Sequence, residues 1–237
     1  MVKIQIIEKL FQYLLIYSYL LIPAAFIVGL FTSRKKTGWV KPVLAVYGLV
    51  FFFILQYFYL VPLKYRNLQQ QIYTFLEFSF FAYIFWHSLV SKLSKKTVVI
   101  AIILFFFFQI GYYLQSQSSN SRVDSIPIGI ETLLIFYFSL LYFMQFYKHK
   151  FSSNLYEYAS FWLVVGMVVY LGFNFFMNIL ANFLTEQEFF AYWKYTYFPE
   201  MLKNVLFALI AGGILIKKTK KKISIPHETP QLDMIKN

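Results

Sequence analysis

The chain has no cysteine, which excludes disulfides, thiol nucleophiles and thiolate-held metals and leaves no redox compartment to read. It has only three histidines. These are His87, His149 and His227, and no H-x-x-x-H or other ligand spacing joins them. A zinc site is therefore not expected, nor is any cofactor. No G-x-S-x-G, phosphate-binding loop or Rossmann glycine pattern occurs. Charge is scarce as well. Charged residues make up 14% of the chain, against about a quarter in soluble domains.

Apolar and aromatic residues take their place. Hydrophobic residues are 59% of the 237, with 30 Phe and 20 Tyr. Large aromatics suit lipid-facing and interfacial helix surfaces. A spanning helix needs about 20 mostly apolar residues. Seven stretches qualify, at roughly residues 10–31, 42–63, 72–90, 98–114, 126–147, 158–184 and 197–216. Short polar connections such as "KYRNLQQQ", "SKLSKKT" and "TEQEFFAYWK" separate them. The expected fold is an all-α polytopic transmembrane bundle of seven helices over residues 1–216. A basic tail, residues 217–237, has no apolar pattern and is expected to be disordered. The first stretch continues past "IPAA" through "FIVGLF", which favours a retained helix over a signal peptide.

The formal net charge of +12 would suggest nucleic acid in a soluble protein. Here the basic residues flank apolar runs and leave no basic face, so nucleic acid is not an expected partner. Alternating flanks divide the 22 Lys and Arg residues into fifteen on one side and seven on the other. The richer side is expected to be cytoplasmic, with the N-terminus outside and the C-terminus inside. The expected location is a cell inner membrane, multi-pass. Membrane lipids are the expected surroundings, and the tail lysines are placed to hold anionic headgroups.

The informative residues are the polar ones inside these stretches. Glu77, in "IYTFLEFSFFAYIFW", lies about 7.5 Å from the outer end of the third stretch at 1.5 Å per residue. Glu131 lies at about the same depth in the fifth. Lys203 and Asn204 lie roughly 9–10 Å into the seventh. Asn174, Asn178 and Asn182 share one face of the sixth at i, i+4, i+8 spacing, joined by Tyr170. Tyr73 shares the Glu77 face of the third. Ionisable groups in hydrocarbon are costly and face a bundle interior, a partner or water. Glu77, Glu131, Lys203, Asn174, Asn178, Tyr73, Tyr170 and Asn204 are therefore candidates for one ligand-binding site, a polar cavity open to the outer leaflet. Two readings stay open for Lys203: counter-ion to a carboxylate in that cavity, or a surface pair with Glu200 one turn earlier. Gln56, Gln109 and Asn182 read as ties between helices or as groups reaching for water. Gly166, Gly172 and the "AGG" at Ala211–Gly213 read as packing positions.

The order "IYTFLEF", a lysine-rich loop, "IETLLIFYFSLLYF", then "FW-LVVG-MVVY" resembles a group of uncharacterised bacterial integral membrane proteins of seven helices. The resemblance covers the third helix to the seventh. The arrangement is also similar to the seven-helix sensory regions that precede bacterial histidine kinases and pass ligand binding to a cytoplasmic module. About 21 residues follow the seventh helix and no kinase module is present, so the expected readout is a separate cytoplasmic or membrane signalling partner. The resemblance implies no catalytic residues.

Three functions follow from these residues. The first is a receptor or sensor-like membrane protein that binds a small or amphipathic ligand in the outer polar cavity. The second is an intramembrane lipid-modifying enzyme using paired carboxylates as acid and base. The third is a transporter, which would need polar groups continuing to the inner leaflet and finds few there.

Overall fold

The structure is a computed structural model that describes residues 2–32, 38–58, 66–116, 125–148, 158–180 and 183–214. Asn182 and the tail at 217–237 lie outside these residues. Eight α-helices form among the described residues: α1 (Val2–Thr32), α2 (Val40–Phe58), α3 (Arg66–Ser88), α4 (Lys92–Ser116), α5 (Ser125–Lys148), α6 (Ala159–Leu180), α7 (Glu186–Trp193) and α8 (Tyr197–Ala211). A 3-10 turn, Lys194–Thr196, joins the last two. All of these helices but α7 correspond to the seven apolar stretches, so the all-α expectation holds.

The differences lie at the ends. α3 begins at Arg66, because the Arg, Leu and Gln residues of "RNLQQQ" are good helix formers. Glu77 therefore sits at the middle of a 23-residue helix rather than near its end. α4 begins at Lys92, taking most of "SKLSKKT" into its first turns. The turn before it is held by Gln145 of α5, whose Oε1 accepts from Val90 N at 2.8 Å and Ser91 N at 3.3 Å. Most of "TEQEFFAYWK", expected as a connection, is α7. Its N-terminus is a capping box, with Thr185 and Glu188 satisfying each other's backbone N–H.

Five helices are long and apolar enough to cross a membrane: α1, α2, α4, α5 and α6. α3 and α8 are not among them. α8 has 15 residues, and α3 carries its polar residues along much of its length. Both instead bury their polar faces against several neighbours, while Ile72 and Tyr83 of α3 and Phe198, Leu202 and Val205 of α8 stay exposed. α8 packs between α1, α2 and α6, while α3 packs among α2, α4, α5 and α6. Their polar groups are covered by the more apolar helices around them. The outward faces of those helices are apolar: Leu104 and Phe107 on α4 expose 63% and 64% of their surface, and Phe53, Leu133, Leu140 and Phe176 are similarly open.

Close approach of helices depends on two glycine positions. A Cβ at Gly48 of α2 would lie 2.6 Å from the Tyr19 carbonyl and 2.8 Å from Pro23 Cδ on α1. A Cβ at Gly29 of α1 would lie 2.9 Å from the carbonyl of Gly212, just past α8. Gly166 and Gly172, by contrast, face side-chain atoms at ordinary or slightly tight range.

Candidate functional site

The face of α8 is set by spacing. Glu200, Lys203, Asn204, Phe207, Ala208 and Ala211 recur at helical intervals and all are buried. Lys203 has no exposed surface. Its Nζ donates to Glu77 Oε1 of α3 at 3.0 Å and to the Tyr47 hydroxyl of α2 at 2.7 Å. Tyr47 donates in turn to Glu77 Oε1 at 3.3 Å. Tyr170 of α6 donates to Glu77 Oε2 at 3.0 Å. Both carboxylate oxygens and the ammonium are thus engaged, the condition under which a buried ion pair offsets its desolvation.

Four rings surround the same ammonium. The Tyr170 centroid is 3.7 Å from Nζ, and the rings of Tyr47, Phe81 and Tyr19 lie within 5.6 Å. Ring faces attract a cation most where water is absent, by about 2 kcal/mol or more. The abundant aromatics of this chain therefore act here as ligands for a charge as well as filling space.

Glu200 is not at the surface. It is buried and accepts at Oε1 from the hydroxyls of Tyr19 of α1 and, at 3.1 Å, Tyr73 of α3. The two hydroxyls are 3.3 Å apart. The open question for Lys203 is thus decided for Glu77. Asn204 donates from Nδ2 to Ser18 Oγ of α1 at 2.8 Å, and the Ser18 hydroxyl donates to the Leu15 carbonyl at 2.6 Å.

The sequence candidates therefore fall into two groups. Glu77, Lys203, Tyr170 and Tyr73 belong to one network, which also includes Tyr19, Tyr47 and Glu200, while Asn204 bonds Ser18 apart from it and leaves its Oδ1 unpartnered. Glu131, Asn174 and Asn178 are buried on α5 and α6. Glu131 lies within electrostatic range of Glu77 and Lys203, yet its Oε1 has no hydrogen-bond partner, and neither has Asn174 Oδ1. Gln109 of α4, read from sequence as a tie, is buried with both ends of its carboxamide unpartnered. The i, i+3 spacing of Glu200 and Lys203 was a usable signal for Glu200. Nothing distinguished Tyr19 and Tyr47 among 20 tyrosines.

Among the described residues no three His, Cys, Asp or Glu side chains converge. His87 belongs to a different neighbourhood, stacked on Trp39 at 4.2 Å between ring centroids and flanked by Tyr83 and Trp86.

No family model, curated protein or solved structure matches the chain.

Proposed function

We propose that this chain is a multi-pass membrane protein of seven spanning helices, in which α3 and α8 complete the five apolar spans, and that it acts as a receptor or sensor. Its N-terminus is outside and its C-terminus cytoplasmic, as the Lys and Arg distribution favours, in a bacterial inner membrane. A small or amphipathic ligand reaches the polar residues between α3, α5, α6 and α8 and alters the Glu77–Lys203 pair. The resulting shift of α8 is read by a separate membrane or cytoplasmic partner.

One observation carries this reading: a single buried ion pair gathers α1, α2, α3, α6 and α8 through Tyr19, Tyr47 and Tyr170. Apolar side chains would hold five helices together at least as well. A fully coordinated charge pair has discrete partners, so a ligand bringing its own charge can select another arrangement. The membrane setting is supported by the five long apolar helices and their exposed Leu, Ile and Phe faces.

The test is a thermal-shift screen of the purified protein in lipid nanodiscs against small carboxylates, amines and single-chain lipids. Hits are repeated on Glu77→Gln and Lys203→Met. A hit whose stabilisation disappears in both variants is the expected result. Equal stabilisation of the variants and the wild type would place binding elsewhere. If the substitutions change neither a ligand response nor the melting temperature, the reading fails.

A further inference from the structure

Beside the Glu77–Lys203 network lies a second group of buried polar atoms that protein contacts leave unsatisfied: Glu131 Oε1, Asn174 Oδ1 and both ends of the Gln109 carboxamide. They come from three helices, and the packing brings them to one height. Phe105 of α4 packs on Phe78 of α3 with centroids 4.5 Å apart. Gln109 is one turn beyond Phe105, about 6 Å along the axis. Phe138 of α5 lies 6.5 Å from Phe78 and 5.8 Å from Phe85, hence between them, about 5 Å along α3 from Phe78. Glu131 is two turns earlier on the same face, which returns it about 10 Å and leaves it about 5 Å beyond Phe78, level with Gln109.

α6 runs antiparallel to α5. Ser125 Oγ donates to the Asn178 carbonyl at 2.6 Å, and Phe175 lies 3.8 Å from where a Cβ of Gly129 would be. That register sets Asn174 opposite Glu131. Thr74, one turn from Phe78 on α3, is buried at the same level. The layer at this height thus has Glu131 opposite Asn174 between α5 and α6, with Gln109 on α4 and Thr74 on α3.

Its chemistry restricts the occupant. Carboxylate and amide oxygens are hard donors that suit hard cations. Lys203 is committed to Glu77, so Glu131 has no counter-charge of its own. One positive charge neutralises it, whereas a divalent ion would leave a net charge in a buried site. Glu131 is only 1% exposed, and Gln109 and Asn174 are buried with it, so the occupant has the size of an ion, not of an organic molecule.

We propose that Glu131, Asn174 and Gln109 bind one monovalent metal cation, sodium or potassium, beside the Glu77–Lys203 pair. This deepens the receptor reading, because Glu131 and Asn174 belong to the same polar interior. The ion sets the field at the switch pair, so ligand response depends on which alkali ion is present. The one-carboxylate, two-amide set differs from the histidine and cysteine patterns that mark transition metals.

The experiment is the melting temperature of the detergent-purified full chain in lithium, sodium, potassium or N-methylglucamine chloride at equal ionic strength. Binding of radioactive sodium is measured in parallel. The expected result is a rise of about 5 °C with one alkali ion over N-methylglucamine, with saturable binding, both lost in Glu131→Gln. Asn174→Leu and Gln109→Leu are expected to weaken the ion by tenfold or more while the chain still folds. They keep the test decisive should Glu131→Gln misfold. A melting temperature indifferent to the cation overturns the proposal, as does an ion shift that survives in all three variants, since water or a protonated Glu131 then fills the layer. The failures are separable: ion indifference leaves the ligand screen on Glu77→Gln and Lys203→Met standing, and an empty screen leaves the ion shift standing.

Discussion

Glu77 and Lys203 depend on each other. Glu77→Gln leaves the Lys203 ammonium buried without a counter-charge, and Lys203→Met does the same to the carboxylate. Each single change is expected to destabilise the protein by about 3–5 kcal/mol. The double variant Glu77→Gln, Lys203→Met removes both charges and is expected to be more stable than Lys203→Met alone, which a double-mutant cycle of denaturant unfolding in detergent checks. Tyr170→Phe keeps the ring over the ammonium and loses only the hydroxyl that donates to Glu77. Its cost is expected to be smaller, about 1–3 kcal/mol. At this scale much was legible beforehand. A charge inside an apolar run has few places to go, so Glu77, Lys203 and their helix faces could be named. Which carboxylate Lys203 selects could not be, because Glu200 is closer in sequence while Glu77 comes from a helix more than a hundred positions away.

Among the elements, α1 and α2 approach through Gly48. Gly48→Ala forces the added Cβ onto the Tyr19 carbonyl and Pro23, and is expected to cost about 1–3 kcal/mol in thermal unfolding. Gly38→Ala, where nothing lies within 4 Å, is expected to change nothing and serves as the control. α7 depends on its capping box. Hydrogen bonds from the Thr185 hydroxyl and backbone N–H hold the Glu188 carboxyl below its ordinary pKa. A depressed folded value means that the cap contributes above the ordinary carboxylate range and is lost as pH falls through the lowered value. Amide exchange of α7 is therefore expected to quicken in acid relative to neutral pH, after correction for intrinsic rates. Thr185→Ala is expected to show fast exchange at both. The box reads directly as T-x-x-E in the sequence. Its segment, "TEQEFFAYWK", lies between longer apolar runs and is too short to span, so apolar run length alone marks it as a connection.

For the molecule as a whole, the absence of cysteine makes topology directly measurable. A cysteine introduced at Gln187, exposed on α7, is expected to react with an impermeant maleimide in intact cells. One at Leu93, exposed at the start of α4, is expected to react only after the membrane is opened. Reversal of both would invert the proposed orientation. The exposed apolar faces of α4, α5 and α6 are expected to make the purified chain dependent on detergent or lipid, with aggregation on detergent removal as the readout.

The sequence by itself determined the all-α class, the seven apolar helices and the presence of polar side chains on inward faces. These follow from local quantities: apolar run length, helical period and the cost of a charge in hydrocarbon. The tertiary structure decided which groups meet. It turned the polar faces of the least apolar long helix, α3, and of the short α8 inward, where apolar neighbours cover them. It paired Lys203 with Glu77, gave Glu200 to Tyr19 and Tyr73, and left Glu131, Gln109 and Asn174 buried with unpartnered polar atoms. Partner choice depends on the register and rotation of helices distant in the chain. Their packing is a sum over many contacts, so no local pattern in the sequence encodes it.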